Sequence, residues 1–147
     1  HDHLGNMFSV VLFPHRWLFE NQEAWHTGNG IGFGSDIEDA KGIDHPPVTA
    51  GAFFAAKLGV AEYLLEKKYQ ASALVLREIR PEYAVPVGVW QIREAIRSAM
   101  KNEPYIAENF DDGVTFAAKR MSVSKSEWLS KGGMLSMLKQ KSISDFF

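Results

Sequence analysis

Blocks of apolar and polar residues follow one another along the chain and predict strands and helices in turn. Residues 7–13 are nearly all apolar and end before Pro14, which is typical of a strand that is buried on both faces. Residues 73–79 predict a second strand, which ends before Pro81. We therefore expect a small sheet that contains at least these two strands.

The most regular helical pattern covers residues 50–68, where Thr49 can act as the N-cap. Its apolar residues form two neighbouring stripes at helical spacing. The first stripe contains Phe53, Ala56, Val60 and Leu64, and the second contains Phe54, Leu58, Ala61 and Leu65. So wide an apolar arc predicts a helix that is buried against more than one element.

The segments between these elements are less regular. Residues 16–25 are compatible with a strand or with a short helix, because apolar and acidic side chains are interleaved there. Residues 27–34 contain four glycines and predict a loop. Their spacing differs from that of a phosphate-binding loop. Residues 35–38 have the form of a capping box and predict a short helical turn.

The second half of the chain is mostly helical in pattern. Residues 87–100 predict a helix, with Val89, Ile92, Ile96 and Met100 facing inward. Residues 102–112 predict a linker and residues 114–121 another helix. Residues 124–127 form a capping box that opens a short helix, and residues 134–138 form one last apolar turn.

Strands followed by helices predict an α+β (mixed α/β) fold, in which a small sheet packs with several helices and the C-terminal tail is flexible. We place the globular domain at residues 1–131 and the tail at residues 132–147. Because the chain begins with His1 rather than Met, we expect it to be a domain of a larger protein.

The composition is that of an ordinary globular protein. Of 147 residues, 46% are hydrophobic and 23% are charged, which excludes a disordered chain. No apolar run is long enough to cross a bilayer, so we expect no membrane contact and a cytoplasmic location. Cysteine is absent, which excludes disulfides and thiolate metal sites within these residues.

The net charge of −2 is unevenly distributed. From Lys119 onward, six basic residues stand against two acidic ones, so the remaining 118 residues are strongly acidic in balance. A body of that sign is a poor binder of nucleic acid by itself, whereas a basic tail can be steered to an acidic partner surface.

The last eight residues have the form Q-x-x-(aliphatic)-x-x-F-F. In one turn of 3₁₀-helix, residues three apart lie on the same side, so Ile143 and Phe146 would project together with Phe147 beside them. Gln140 lies one turn earlier and can hydrogen-bond at the rim of a pocket. Two adjacent phenylalanines at a polar chain end either dock into a partner or fold back onto this protein's own core.

Two stretches could hold a metal ion. His1 and His3 would point the same way in a strand. Asp36 begins an acidic stretch that offers oxygens to a hard cation such as Mg²⁺. We assign no metal site, because the first residues of a chain are often unpaired and the acidic stretch lacks the spacing of a calcium loop.

Residues 77–83 are denser in charge than the end of a central strand should be. If Arg77 faces inward it needs a buried partner, for which we consider Glu78 and Glu94. The alternative is a functional pocket where this strand meets the helix of residues 87–100. The candidate cluster consists of His3, Asp36, Arg77, Glu78, Trp90 and Arg93. Catalytic residues remain unknown, because no nucleophile motif is present.

Four segments resemble the C-terminal part of the archaeal Nre family of DNA repair proteins: residues 1–6, 77–83, 86–94 and the terminal octapeptide, which resembles the PIP box. The resemblance implies a role in DNA damage repair and binding to the sliding clamp, PCNA. It implies clamp contacts by Gln140, Ile143, Phe146 and Phe147. It assigns a catalytic role to none of the residues of this chain. The family's cysteine-rich part, where zinc is possible, would lie outside this chain, whose own cofactors are unknown.

Three functions follow as hypotheses. The first is a DNA repair factor recruited to PCNA, which would be nucleoid-associated and would contact DNA directly or through the clamp complex. The second is a metal-dependent hydrolase or nuclease that acts on DNA and uses His3, Asp36 or neighbouring acids. The third is a non-catalytic scaffolding domain. Whether the protein is an enzyme is left open.

Overall fold

The computed structural model describes residues 1–83 and 87–139. Within these ranges the chain forms a five-stranded sheet with helices on both faces. The strands are β1 Asp2–His3, β2 Asn6–Phe13, β3 Leu18–Thr27, β4 Gly30–Asp39 and β5 Ser72–Ile79. The helices are α1 Gly51–Lys67, α2 Trp90–Ala99, α3 Phe110–Ala118, α4 Lys125–Lys131 and α5 Met134–Lys139. The predicted α+β class, a small sheet with several helices, is confirmed.

The sheet has the strand order β1-β2-β5-β3-β4. The central strand β5 is antiparallel to β2 and parallel to β3, while β3 and β4 form an antiparallel hairpin. Helix α1 lies between β4 and β5 in the chain. Strand β5 is covered on both faces. This explains why its sequence is the near-continuous apolar run that predicted a strand.

Side chains at alternate positions of each strand pack into two separate hydrophobic cores. Helices α1 and α2 cover one face, which we call the α1/α2 face, where Phe8, Phe19, Phe53, Val75 and Ile96 are buried together. Helices α3, α4 and α5 cover the α3–α5 face, where Leu18, Leu74, Leu76, Trp128 and Met134 are buried. Adjacent strand residues therefore contribute to opposite sides of the domain.

The hairpin β3–β4 resolves one open sequence prediction and corrects two others. Residues 18–25 of the ambiguous stretch belong to strand β3. Residues 30–34 and 35–38 belong to strand β4 rather than to a loop and a helical turn, and only residues 28 and 29 of the predicted loop form the turn between the strands. The indole of Trp25 explains two of the four glycines, because a Cβ on Gly32 would lie 2.1 Å from its Nε1 atom and one on Gly34 would lie 3.3 Å from its ring. The missing side chains make room for an aromatic ring on the sheet.

Helix α1 confirms one predicted stripe and contradicts the other. Phe53, Ala56, Val60 and Leu64 are buried, but Phe54, Leu58 and Leu65 are exposed to solvent. The N-cap is Ala50, with no side-chain hydrogen bond. Thr49 does not cap this helix because its hydroxyl group is hydrogen-bonded to Asp36 in β4. The sequence indicated an apolar arc, but packing in the described chain uses only half of it.

The remaining helices differ from prediction mainly at their boundaries. Helix α2 begins at Trp90, three residues later than expected, and Val89 is exposed rather than inward-facing. Helix α3 begins within the predicted linker, where Asn109 caps it by accepting a hydrogen bond from the Asp112 amide. The capping box of Ser124 and Glu127 at the start of α4 is confirmed. None of the helices in the described ranges has the length and apolar character that a bilayer crossing requires.

Candidate functional site

The terminal motif residues Gln140, Ile143, Phe146 and Phe147 lie outside the described residues, which end at Lys139. The structure does show the segment that leads into them. Helix α5 occupies residues that were assigned to the tail, and its first residue, Met134, is only 1% exposed. The predicted domain boundary at residue 131 stays a prediction, but packing against the sheet continues beyond it.

A buried carboxylate fixes the start of α5 to the sheet. Glu20 in β3 is 1% exposed and accepts hydrogen bonds from the backbone amides of Gly133, at 2.7 Å, and Met134, at 3.0 Å. It also accepts one from the hydroxyl of Ser35, at 2.9 Å. These bonds satisfy amides that a helix start leaves without partners, and the negative charge suits the positive end of the helix dipole. We call this arrangement the Glu20 latch.

Close packing at Gly132 completes this attachment. A Cβ on Gly132 would lie 2.1 Å from the side-chain nitrogen of Gln22 and 3.0 Å from the Oε1 atom of Glu20. The chain therefore passes so close to β3 that a larger residue at position 132 would displace the side chains of Gln22 and Glu20. Gln140 follows α5 without an intervening linker, so the motif begins directly after a segment that is held on the α3–α5 face.

On the opposite face, Arg77 lies at the centre of a buried polar cluster. Its Nη1 atom donates to Glu23 at 2.8 Å, and its Nε and Nη2 atoms donate to the Oδ1 atom of Asn6 at 2.9 and 2.7 Å. The guanidinium carbon also lies 5.6 Å from the centre of the Phe8 ring and 5.9 Å from that of Tyr83. We call these five residues the Arg77 cluster. Arg77 needs a buried partner, as expected, but the predicted partners were wrong.

A second polar group on the same face joins β4 to the start of α1. The Asp36 carboxylate accepts hydrogen bonds from the amides of Val48 and Thr49, at 2.6 and 2.7 Å, and from the Thr49 hydroxyl at 2.6 Å. The side-chain amide of Asn21 donates to the same hydroxyl at 3.1 Å. Asp36 is thus a buried structural acceptor that orders the turn before α1, and it is not part of a solvated acidic loop.

The structure does not bring the six candidate residues together. Arg77 and Glu78 are neighbours in β5 and point to opposite faces of the sheet. His3 lies in edge strand β1 and Asp36 in edge strand β4, so four strand spacings, roughly 19 Å, separate their strands. A single metal ion cannot bridge that distance. Within the described ranges, no group of three or more His, Asp or Glu residues is placed to hold one.

Trp90 and Arg93 lie at the solvent side of α2. Trp90 is 57% exposed, and the Nε atom of Arg93 donates a hydrogen bond to its neighbour Glu94, at 3.4 Å. Arg97, one turn further on, links α2 to α1 through Glu62, with N–O distances of 2.6 and 2.7 Å. These residues lie on the charged surface of α2, and none of them is among the side chains that contact Arg77.

Glu78 instead joins a small cluster on the α3–α5 face. Its carboxylate lies 2.8 Å from the Nε2 atom of His26 and accepts from the Ser122 amide at 2.9 Å and from the Ser122 hydroxyl. Burial acts to raise the pKa of Glu78, but the hydrogen bonds from Ser122 and His26 and the charge of Arg80 outweigh it and lower that pKa.

The His26–Glu78–Ser122 arrangement is not that of a nucleophilic triad. The Ser122 hydroxyl lies 3.1 Å from Nε2 of His26, the same ring nitrogen that meets Glu78. An activating triad needs the acid on one imidazole nitrogen and the nucleophile on the other. A carboxylate with a lowered pKa is also a weak base. The cluster therefore attaches the α3–α4 connection to β5.

Sequence reasoning missed most of the residues that do come together. Residues 20–23 are all polar, and such a run is typical of a surface segment. In the structure all four side chains are buried. Asn6 and Gln91 enter the sequence analysis only as members of the segments 1–6 and 86–94 that resemble the Nre family. The two side-chain polar atoms of Gln91 are buried without a partner among the described residues. Only the unusual density of polar residues inside a strand pattern could have indicated them.

Comparison with known proteins identifies the relatives of this chain. Residues 38–146 match the family model described as archaeal Nre, C-terminal. The chain is 38% identical to DNA repair protein NreA of Archaeoglobus fulgidus, and the match covers the whole of this chain and 37% of that protein. It is 40% identical to DNA repair protein NreA of Haloferax volcanii, over 97% of this chain and 36% of that protein. It is 30% identical to DNA repair protein NreB of Archaeoglobus fulgidus, over 96% of this chain and 38% of that protein. The chain thus spans just over a third of the length of these relatives. No solved structure matches it.

Proposed function

Since this chain belongs to the archaeal Nre family, we propose that it is part of a DNA repair factor that its C-terminal motif recruits to the sliding clamp PCNA. The observation that carries the repair role is the similarity to proteins named DNA repair protein NreA over essentially the whole chain. The observation that carries the clamp partner is the sequence Q-x-x-I-x-x-F-F at residues 140–147.

In this proposal, residues 140–147 fold on the clamp surface into a single 3₁₀ turn. Ile143, Phe146 and Phe147 form an apolar plug and Gln140 hydrogen-bonds at the pocket rim. Ordering a peptide on binding costs part of the gross interaction energy, so we expect a micromolar dissociation constant. The basic residues from Lys119 onward favour approach to an acidic surface.

The Glu20 latch supports a geometry in which the folded body stays close to the clamp. Because Lys139 ends a helix that is attached to β3, the motif has no long flexible spacer before it. A body held this way shares the clamp's location on DNA. Contact with DNA, directly or through the complex, and association with the nucleoid follow as part of the same proposal.

Calorimetric titration of this chain into the cognate sliding clamp tests the proposal. The Phe146→Ala/Phe147→Ala variant should lose at least ~2 kcal/mol of binding free energy, about a thirtyfold weaker affinity, because buried aromatic anchors dominate such interfaces. The matched control, Ser142→Ala/Ser144→Ala, changes intervening positions of the same peptide and should bind like the wild type. Equal binding by the two variants would show that the plug does not mediate clamp contact.

A non-catalytic scaffold is the second candidate for the folded body, and one observation favours it. Arg77, Glu23 and Asp36 use their hydrogen-bonding groups on partners within the domain. Repair assays can separate this role from an enzymatic one. If Trp90→Ala and Arg93→Ala preserve DNA repair in cells while the double phenylalanine variant abolishes it, the scaffold is favoured. Loss of repair in the two surface variants at normal protein levels would favour chemistry on the body.

A further inference from the structure

Helix α1 carries a row of apolar side chains that no described residue covers. Phe54, Leu58 and Leu65 are 48%, 44% and 80% exposed, and Ala61 lies between the last two. The spacing of four, three and four residues is that of a helix–helix packing seam. We call these four residues the α1 seam. A continuous row of this kind differs from the single exposed apolar residues that are normal on protein surfaces.

A groove continues the α1 seam at its N-terminal end. Phe54 and Lys57 line this groove together with the loop of residues 42–47, in which Ile43, Pro46 and Pro47 supply apolar surface. Its volume is about 660 Å³. Because Phe54 belongs to both features, seam and groove form one surface. A row of apolar anchors that ends in a groove suits an amphipathic helix.

Fixed charges border the α1 seam on both sides. Lys57 bonds to Glu38 at 2.9 Å on one side, and Glu62 bonds to Arg97 at 2.6 Å on the other. The Nζ atom of Lys57 also lies 5.3 Å from the centre of the Phe54 ring, so this charge stands at the edge of the apolar row. An apolar centre with a polar rim is the usual anatomy of a protein interface.

The area of the α1 seam argues for a covalently connected partner. Its side chains expose on the order of 400 Å², about half of the roughly 800 Å² per partner that stable interfaces between separate proteins bury. A segment of the same polypeptide needs less area, because its effective concentration is already in the millimolar range. In the relatives, more than 60% of the polypeptide lies outside the stretch that matches this chain.

We propose that the α1 seam docks an amphipathic helix from the part of the longer Nre polypeptide that lies outside this chain. The partner helix would present apolar residues at intervals of three and four toward Leu58 and Leu65, with one bulky side chain in the groove beside Phe54. This inference does not depend on recruitment to the clamp.

Thiol labelling tests the proposal, because this chain has no cysteine and a single substitution gives it one defined thiol. Leu58→Cys is prepared in this chain alone and in the full-length Nre polypeptide that contains it. Labelling by a maleimide is followed by mass spectrometry of the peptide that carries residue 58. We expect labelling to be about tenfold slower or more in the full-length protein, since the thiol must wait for local opening. Glu66→Cys, on the same helix and away from the seam, should react equally fast in both.

Each alternative result has a definite meaning. Equal labelling of residue 58 in both forms would overturn the proposal. Slow labelling in this chain alone, together with twice the monomer mass in light scattering, would overturn it in favour of a second copy. Leu65→Cys repeats the test at the most exposed seam position, so that poor folding of one variant does not decide the outcome. Leu65→Glu should leave the midpoint of thermal unfolding of this chain unchanged and lower that of the full-length protein.

Discussion

The two faces of the sheet use buried carboxylates in different ways. On the α1/α2 face, Glu23 pairs with Arg77 across neighbouring strands, so the charges compensate within the sheet. On the α3–α5 face, Glu20 and Glu78 accept backbone amides of Gly133, Met134 and Ser122, which lie more than forty residues later in the chain. Glu23 is thus compensated by an ion pair within the sheet, and Asp36 on the same face accepts only the amides of nearby Val48 and Thr49 and the Thr49 hydroxyl. The acids of the other face attach the C-terminal third of the chain to the sheet.

This difference shows that a buried acid in a strand has no fixed role. Its partner decides whether it holds strands together or holds a distant segment in place. On the first face, removing the partner leaves an uncompensated charge in the core. On the second face, removing the carboxylate leaves amides without acceptors at a helix start, and the damage can stay local.

The largest effect is expected from Arg77→Met. This change leaves the Glu23 carboxylate and the Asn6 oxygen buried without their donor, so we expect a loss of ~3–5 kcal/mol in the free energy of unfolding. Urea denaturation followed by circular dichroism measures it. The double variant Arg77→Met/Glu23→Gln removes the uncompensated charge and should recover part of the loss. A double variant that is no more stable than the single one would contradict this account of the Arg77 cluster.

A smaller and more local effect is expected from Glu20→Ala. The variant removes three hydrogen bonds to a charged acceptor, so we expect a loss of ~2–3 kcal/mol that is concentrated in α5. Hydrogen exchange should become faster at Leu135–Lys139 while the amides of β5 stay protected. Ser35→Ala removes only one of the three donors and serves as the control. Uniformly faster exchange over the whole domain would show that the latch is not a local attachment.

The smallest effect concerns pH and Glu78. Because the pKa of Glu78 is lower in the folded protein than in the unfolded chain, its contribution is fully present above the ordinary glutamate pKa. That contribution is lost as pH falls through the folded-state pKa. We therefore expect Glu78→Gln to flatten the decline of stability with pH below about 4.5, as measured by thermal unfolding. An identical acid profile in wild type and variant would contradict the assignment.

Features encoded within short stretches could be predicted from sequence. Proline ended β2 at Phe13, and the Ser124–Glu127 capping box marked the start of α4. Each signal rests on the chemistry of adjacent residues and needs no tertiary partner. The buried stripe of α1 was equally predictable, because helical spacing alone specifies a face.

Features that depend on distant partners were not predictable. Gly32 and Gly34 of β4 predict a loop from sequence alone, because nothing nearby in the chain indicates that the Trp25 ring packs against them. The partners of Arg77 lie 54 and 71 positions away, and nothing in the local sequence selects Glu23 and Asn6 over Glu78 or Glu94. The positions of the six candidate residues could not be predicted either. Their residue types suggested one site, but the fold places them on different faces and edges of the domain. The terminal motif, by contrast, needs no fold to be recognised.

The Glu20 latch also sets how far the motif can reach. The latch holds the first residue of α5, and the six residues of that helix separate it from Gln140. Converting six residues from helix to extended chain would lengthen the connection by roughly 11 Å, because the rise per residue grows from about 1.5 to about 3.4 Å. If tension on the terminus unravelled α5, the amide–carboxylate bonds on β3 would remain the point of attachment. The body would gain about the width of one helix in reach while staying attached.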